Sequence, residues 1–161
     1  NSYRGVFEMR AKFQVLVLPF AVTENDVRYC VFKRPDMNFW QFVLGGGEDM
    51  ETPFEAAVRK CRDEIDAENG NFYKLDSTAS IPTNWVGERV RSAWGPDCIV
   101  ISEYAFALKT EERDFLLSKE YAEFAWTDYK TALKMLRYGS NQTALYELNE
   151  RIKLGLLERI H

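Results

Sequence analysis

The 161-residue sequence contains one histidine, His161, which is its last residue. A single histidine at the terminus excludes a Ser-His-Asp or Cys-His catalytic arrangement, and it excludes a histidine-rich zinc site. If the protein is an enzyme, its chemistry must depend on carboxylates, lysine, tyrosine or a bound metal ion.

Cysteine is also scarce, with three residues that show no paired close spacing: Cys30, Cys61 and Cys98. This odd number predicts free thiols in a reducing compartment. The first residues do not resemble a signal peptide, and Asn1 in place of a start methionine suggests a trimmed terminus. We therefore expect a cytoplasmic protein.

The sequence has no excess of basic residues and no apolar run long enough to span a membrane. Its net charge of −4 argues against a nucleic-acid polymer as partner, so a phosphate ligand would need a metal ion or a few arginines nearby. No repeat or low-complexity tract is present, and the length suits one domain over residues 1–161. We expect a small-molecule ligand, no membrane partner, and a monomer or homodimer.

A glycine-rich segment followed by a helix is the strongest local pattern. Gly45–Gly47 predict a loop whose backbone can approach a ligand closely. Thr52 and Pro53 then mark a helix start, with Glu55 placed to complete a capping box. The helix has one apolar stripe, made of Phe54, Ala57, Val58, Cys61 and Ile65. It is expected to continue to about Ala67.

The remaining pattern alternates strands with loops and ends in helices. Strands are predicted at 12–22, 27–33, 39–44, 72–81 and 97–109, with a hairpin turn at 23–26. Asn69-Gly70-Asn71 predicts the end of the first helix. Residues 84–96 are predicted to form a loop, and 110–119 a loop or a short helix. Further helices are expected at 128–137, capped by Thr127, and from Ser140 or Asn141 to about 159.

The segment from Gly45 resembles the box of the Nudix hydrolases. That box runs Gly, five residues, Glu, seven residues, Arg-Glu, an apolar residue, any residue, Glu-Glu, any residue, Gly and an apolar residue. The residues in register here are Gly45, Glu51, Arg59, Cys61, Asp63, Glu64 and Ala67. Lys60 stands where the family has a glutamate, and Asp66 stands where it has a glycine. The resemblance implies an α/β fold, an α/β/α sandwich with a mixed sheet.

Two further segments resemble the branch of this family that acts on dihydroneopterin triphosphate and dATP. They are Lys33-Arg34-Pro35-Asp36 with Phe39-Trp40-Gln41, and Glu120-Tyr121-Ala122-Glu123-Phe124-Ala125-Trp126. The resemblance implies hydrolysis of a nucleoside-triphosphate-like substrate to a monophosphate and pyrophosphate. It also implies Mg²⁺ as cofactor, with Mn²⁺ as an alternative ion.

The resemblance also suggests roles for individual residues. Glu64, Asp63 and Glu120 are the candidate catalytic residues and metal ligands, and the carbonyl of Gly45 is a further ligand. Glu51 and Arg59 are expected to pair and to be structural. The general base is left open between Asp63, Glu48 and Glu120.

Substrate contacts are assigned to four residues. Arg10 and Arg34 are candidates for phosphate binding, Trp40 for stacking on a base or pterin ring, and Asn141 for the nucleoside end of the site. The two arginines and Trp40 also have a simpler interpretation, because surface arginines are common and aromatic residues beside a strand are usually core.

Lys60 keeps a second function class open. A protonated lysine can neither bind a cation nor act as a base, although it can contact a phosphate. The alternative is therefore a catalytically impaired Nudix-fold module that binds a nucleotide or a partner. Without the box, Asp63 and Glu64 would be an ordinary solvated helix face.

Overall fold

The structure, a computed structural model, describes residues 10–68 and 70–161. Within these residues eight strands form one mixed sheet: β1 (Arg10–Val22), β2 (Val27–Lys33), β3 (Trp40–Gln41), β4 (Val43–Glu48), β5 (Asn71–Pro82), β6 (Val100–Lys109), β7 (Glu123–Thr127) and β8 (Glu158–Arg159). The same residues form helices α1 (Pro53–Ile65), α2 (Glu88–Trp94), α3 (Tyr129–Met135) and α4 (Gly139–Leu154), and a 3₁₀ turn at Thr83–Trp85. The interpretations of Asn1 and Asn69 fall outside the described residues.

Strand β1, the long apolar run of the sequence, is the centre of the sheet. It pairs in parallel with β6 along one edge. Along its other edge it pairs antiparallel with β4 and, nearer its end, with β2. The predicted hairpin between β1 and β2 is confirmed, with Phe20 opposite Tyr29 and Val22 opposite Val27.

Side chains of β1 alternate between two core layers, as expected for a strand buried on both faces. Val15 and Val17 pack in the layer that contains α1. Leu16 and Leu18 pack in the layer that contains α3 and α4. The expected α/β/α sandwich with a mixed sheet is confirmed.

The predicted glycine loop is wrong, because Gly45–Gly47 belong to strand β4. None of the three has a positive φ. Each instead leaves room for a neighbouring side chain, since a Cβ would overlap Lys60 at Gly45, Arg10 at Gly46 and Phe13 at Gly47. The turn to α1 comes later, at Met50, which adopts the left-handed conformation with φ 72°.

Several predicted element limits also differ from the structure. Helix α1 ends at Ile65, because Asp66 adopts a left-handed cap with φ 56°. Helix α4 ends at Leu154 rather than near 159, because Gly155 is left-handed with φ 68°, and residues 158–159 form β8.

Three smaller differences lie in the connections. The predicted strand at 39–44 is split into β3 and β4. Residues 84–96 contain α2 as well as loop. Helix α3 is capped by Asp128, whose carboxylate accepts from the N–H of Thr131, and not by Thr127. No helix of the described residues is long and apolar enough to cross a membrane.

Candidate active site

The start of α1 is held by two sets of hydrogen bonds. The Thr52 hydroxyl accepts from the N–H of Glu55 at 3.1 Å, and the Glu55 carboxylate accepts from the N–H of Thr52 at 2.9 Å. Arg59 donates to both carboxylate oxygens of Glu51, at 2.7 and 3.0 Å, and also to the carbonyl of Gly46. The Arg59 guanidinium holds the pKa of Glu51 below its usual range. This pair ties the end of β4 to the helix, which is the structural arrangement expected of Glu51 and Arg59.

Glu64 is buried on α1, with 6% of its surface exposed. The ammonium of Lys60, one turn earlier, lies 3.1 Å from its Oε1. The hydroxyl of Ser118 donates to its Oε2 at 2.6 Å. Lys60 therefore does not point away into solvent, and it neutralises the carboxylate that the resemblance assigns to the metal.

Ser118 connects Glu64 with the second predicted acid. Its hydroxyl accepts from the N–H of Glu120 at 3.1 Å. The Glu120 carboxylate faces Arg34, with 3.7 Å between Oε2 and Nη2. Residues 56 positions apart in the sequence are thus joined through one serine, and the path from Glu64 leads to Arg34.

The next residue, Tyr121, is buried beside this path. Its hydroxyl accepts from the N–H of Leu44 at 3.0 Å. Burial raises the pKa of Tyr121, and the negative charge of Glu64 adds to the effect. Tyr121 therefore fixes the position of β4 near Glu64 as a neutral side chain.

Asp63 of α1 and Glu48 at the end of β4 both face solvent. Both are about half exposed, and each has a carboxylate oxygen 3.9 Å from Nη1 of Arg59. Asp63 also lies 3.1 Å from Nε of Arg62. Both acids remain accessible to water, unlike Glu64.

A cavity of about 210 Å³ opens on the α4 side of the sheet. Arg34 lines it, which connects the cavity with Glu120 and Glu64. Its other walls combine apolar groups, aromatic rings and a few amides and hydroxyls; they include Gln14, Leu44, Trp85, Glu103, Tyr138 and Asn141. Apolar and aromatic walls with a few polar groups are the usual lining of a small-molecule site.

Glu103, which the sequence reasoning missed, is the buried acid of this cavity. Only 3% of its surface is exposed, and its Oε2 accepts from the amide of Gln14 at 2.5 Å. Burial raises its pKa, while hydrogen bonds from Gln14 and Ser140 lower it, and the net direction is upward. A glutamate between Ile101 and Ala105, both buried positions of β6, was the signal that could have revealed it.

Of the other residues predicted to contact the substrate, one lines the cavity and two do not. Asn141 lines the cavity, but its Oδ1 is used to accept from the N–H of Phe42 at 2.8 Å. Trp40 packs against the core layer of α4 and is not among the residues that line the cavity.

Arg10 also lies outside the cavity wall. Its guanidinium is 5.9 Å from the Trp94 ring, and its carbonyl accepts from the indole N–H. Burial lowers the pKa of Arg10, and the charge of Arg59 adds to this effect. Among the described residues its Nε has no hydrogen-bond partner.

The acids of the site provide oxygen donors, which Mg²⁺ prefers. In the described part of the chain, however, no group of three or more His, Cys, Asp or Glu side chains could hold a metal ion by itself. Both carboxylate oxygens of Glu64 already have partners. Because Mg²⁺ commonly binds through one or two carboxylates together with substrate phosphates, the residues fit an ion shared with a phosphate ligand.

Comparison with known proteins identifies the relatives of this chain. No protein-family model matches the sequence. A protein of Haemophilus influenzae named dihydroneopterin triphosphate diphosphatase is 26% identical over 140 residues, which are 85% of this chain and 88% of the relative. The solved structure of the E. coli dihydroneopterin triphosphate pyrophosphohydrolase matches with a TM-score of 0.69 at 24% identity, covering 88% of this chain and 98% of that one.

A crystal structure from Listeria monocytogenes, assigned to the Nudix hydrolases, is more similar. It is 38% identical, matches with a TM-score of 0.83, and the comparison covers 93% of this chain and all of that one. This likeness extends over almost the whole chain, and it agrees with the box residues that lie on α1 and on the segments directly before and after it. The chain therefore belongs to the Nudix hydrolase family.

Proposed function

We propose that this protein is a Mg²⁺-dependent pyrophosphohydrolase of a nucleoside-triphosphate-like small molecule, of the dATP or dihydroneopterin triphosphate type. The products would be a monophosphate and pyrophosphate. The observation that carries the proposal is the connected path from Glu64 through Ser118 and Glu120 to Arg34 at the cavity. The name of the Haemophilus influenzae relative supports the same substrate type.

The path indicates how such a substrate would lie. Its ring would occupy the cavity, and its phosphates would extend past Arg34 towards Glu120. An arginine guanidinium suits this position, because its planar group of donors matches phosphate oxygens. Binding in this direction would bring the phosphate chain to the acids of α1.

Glu64 and Glu120 are the proposed protein ligands of Mg²⁺, with the carbonyl of Gly45 as a further one. When bound, the ion would polarise the phosphate that is attacked. Asp63 and Glu48 are accessible to solvent beside Arg59, so either can accept the proton of the attacking water. Much of the acceleration would come from positioning the phosphate chain and the water.

The test is pyrophosphate release with Mg²⁺ from dATP, the other nucleoside triphosphates and dihydroneopterin triphosphate. We expect turnover of at least one substrate, and a loss of about a hundredfold or more in Glu64→Gln. Glu150→Gln, on α4 and outside the site, is the matched control and should retain activity. Equal rates in the native protein and Glu64→Gln would overturn the assignment of Glu64.

The ion pair between Lys60 and Glu64 favours a second candidate, a nucleotide-binding module without turnover. The ammonium of Lys60 is paired with the Glu64 carboxylate, which a metal ion would use as a ligand. Pyrophosphate release by Lys60→Glu, compared with that by Lys60→Gln, distinguishes the hydrolase from the binding module. If the native protein is a hydrolase, Lys60→Glu should lower the Mg²⁺ concentration that it needs. If native protein and both variants bind a nucleotide but none releases pyrophosphate, the hydrolase proposal fails and the binding module is favoured.

A further inference from the structure

The cavity contains a buried carboxyl group that the proposed hydrolysis does not use. Glu103 lies on β6 with 3% of its surface exposed, whereas the proposed chemistry takes place at Glu64 and Glu120. It occupies an inward position of the strand, in line with Ala105 and Ala107, where an apolar residue would pack without cost. A buried carboxyl group at such a position needs a physical reason.

The two partners of Glu103 do not neutralise it. Gln14 lies beside it in the parallel register of β1 and β6 and donates through its amide. Ser140, at the start of α4, is the other neutral group whose interaction lowers the pKa of Glu103. Both are neutral, and two donors leave open part of the roughly four lone-pair positions that a carboxylate offers. The cavity beside Glu103 is where further donors can enter.

The walls of the cavity suit a flat ring. The exposed ring of Trp85 lies 6.2 Å from that of Tyr138, and both rings line the cavity. Leu44 and Ile81 add apolar wall. We therefore take this cavity of about 210 Å³ as the place for the ring of the substrate, with the phosphates outside it.

We propose that Glu103 determines the ring specificity of this site, by accepting two adjacent N–H groups of the substrate ring. The edge that offers them is the 2-amino-4-oxopyrimidine edge, which guanine and pterin rings share. Adenine presents one donor and one lone pair at its corresponding edge, and the lone pair would face the carboxylate. This inference rests on the proposed function, because it takes the cavity as the ring end of the same site.

The electrostatics agree with this geometry. Burial raises the pKa of Glu103, which means that the empty site penalises its charge. Two N–H donors from a ligand would stabilise the carboxylate and offset that penalty. A ligand without them would leave a buried acceptor unpaired, and this is a strong basis for discrimination.

The test measures binding of monophosphates, which contain no anhydride bond to cleave, so the result does not depend on turnover. Guanosine, dihydroneopterin, inosine and adenosine monophosphates are titrated against the native protein by calorimetry. Guanosine and dihydroneopterin monophosphates should bind about ten- to a hundredfold more tightly than adenosine monophosphate. Inosine monophosphate, which lacks the 2-amino group, should lie between them. Whichever of guanosine and dihydroneopterin monophosphates binds more tightly shows whether the site takes a guanine nucleotide or a pterin.

Glu103→Gln should remove this preference, and Glu158→Gln, an exposed glutamate of β8, should keep it. The inosine comparison uses the native protein, so the proposal can be tested even if Glu103→Gln folds poorly. Equal binding of all four ligands, tighter binding of adenosine monophosphate, or no binding would each overturn the inference. A clear preference without pyrophosphate release would support the ring assignment while the hydrolase proposal failed.

Discussion

Glu64 and Glu103 are both buried glutamates, but their surroundings differ. Glu64 has the ammonium of Lys60 at 3.1 Å, whereas the side chains that donate to Glu103 are neutral. A buried carboxyl group without a cationic partner lowers the stability of the folded state when it is charged. Such local costs are expected at residues kept for function.

This cost predicts a pH dependence of stability. Because burial raises the pKa of Glu103, the folded protein retains a proton that the unfolded chain has released. The contribution of Glu103 to stability is therefore present below its unfolded pKa of about 4.3, and it is lost as the pH rises through the folded pKa. Each pKa unit corresponds to about 1.4 kcal/mol.

Glu103→Gln should accordingly raise the free energy of unfolding at pH 7.5 relative to the native protein, and the difference should shrink towards pH 4. Thermal denaturation across this range measures it. Glu158→Gln, whose carboxylate is exposed, should show no such trend. A lower Tm for Glu103→Gln at pH 7.5 would contradict the explanation.

At the scale of the element, the stability of α1 depends on the capping of its two ends. Thr52 and Glu55 form the capping box that their spacing predicts. The other end is less usual, because Asp66 holds the left-handed conformation at the position where the Nudix box has a glycine. A residue with a Cβ pays about 1–2 kcal/mol there, although aspartate tolerates it better than most.

Asp66→Gly should therefore stabilise the protein by about 1 kcal/mol. For a domain of this size, that corresponds to a rise in Tm of about 2–4 °C. Asp66→Ala is the matched comparison, since it keeps the Cβ and should give no gain. Calorimetry of the native protein, Asp66→Gly and Asp66→Ala measures the three Tm values. A lower Tm for Asp66→Gly would show that the Asp66 side chain has another role.

At the scale of the whole molecule, one carboxylate joins a helix layer to the sheet. Strand β5 has an irregularity between Lys74 and Thr78, which leaves the backbone N–H groups of Asp76 and Ser77 outside the ladder. Glu147 of α4 accepts from both, at 2.6 and 2.8 Å. It also accepts from Arg151 at 2.7 Å. This carboxylate therefore makes the irregular strand compatible with packing against α4.

Glu147→Ala should cost about 2–3 kcal/mol, because it leaves two backbone donors without a partner. The expected fall in Tm is about 4–12 °C. Glu150→Ala, on the same helix with only a 3.4 Å contact to Lys153, is the control and should change Tm little. If the two variants lowered Tm equally, the link to β5 would not be the cause of the loss, because alanine is itself a good helix former.

Sequence reasoning predicted the features that depend on near neighbours. The apolar run at 12–22 predicted β1, the segment 27–33 after a polar turn predicted β2, and Thr52 with Pro53 predicted the start of α1. The spacing of Glu51, Arg59 and Glu64 identified the family. Limits set by backbone conformation, such as the left-handed Asp66, were predicted less well. Few residue types force that conformation, and aspartate is not one of them.

The sequence by itself indicated the family, because the box residues lie within one segment, and that resemblance implied the sandwich and the roles proposed for the acids of α1. Only the tertiary structure decided that Gly45–Gly47 form a strand, since the reason is the space that distant side chains need. It also brought Glu103 beside Gln14, 89 residues away, and Asn141 to the N–H of Phe42, 99 residues away. Contacts over such separations depend on how the whole sheet is assembled, and no local pattern encodes them.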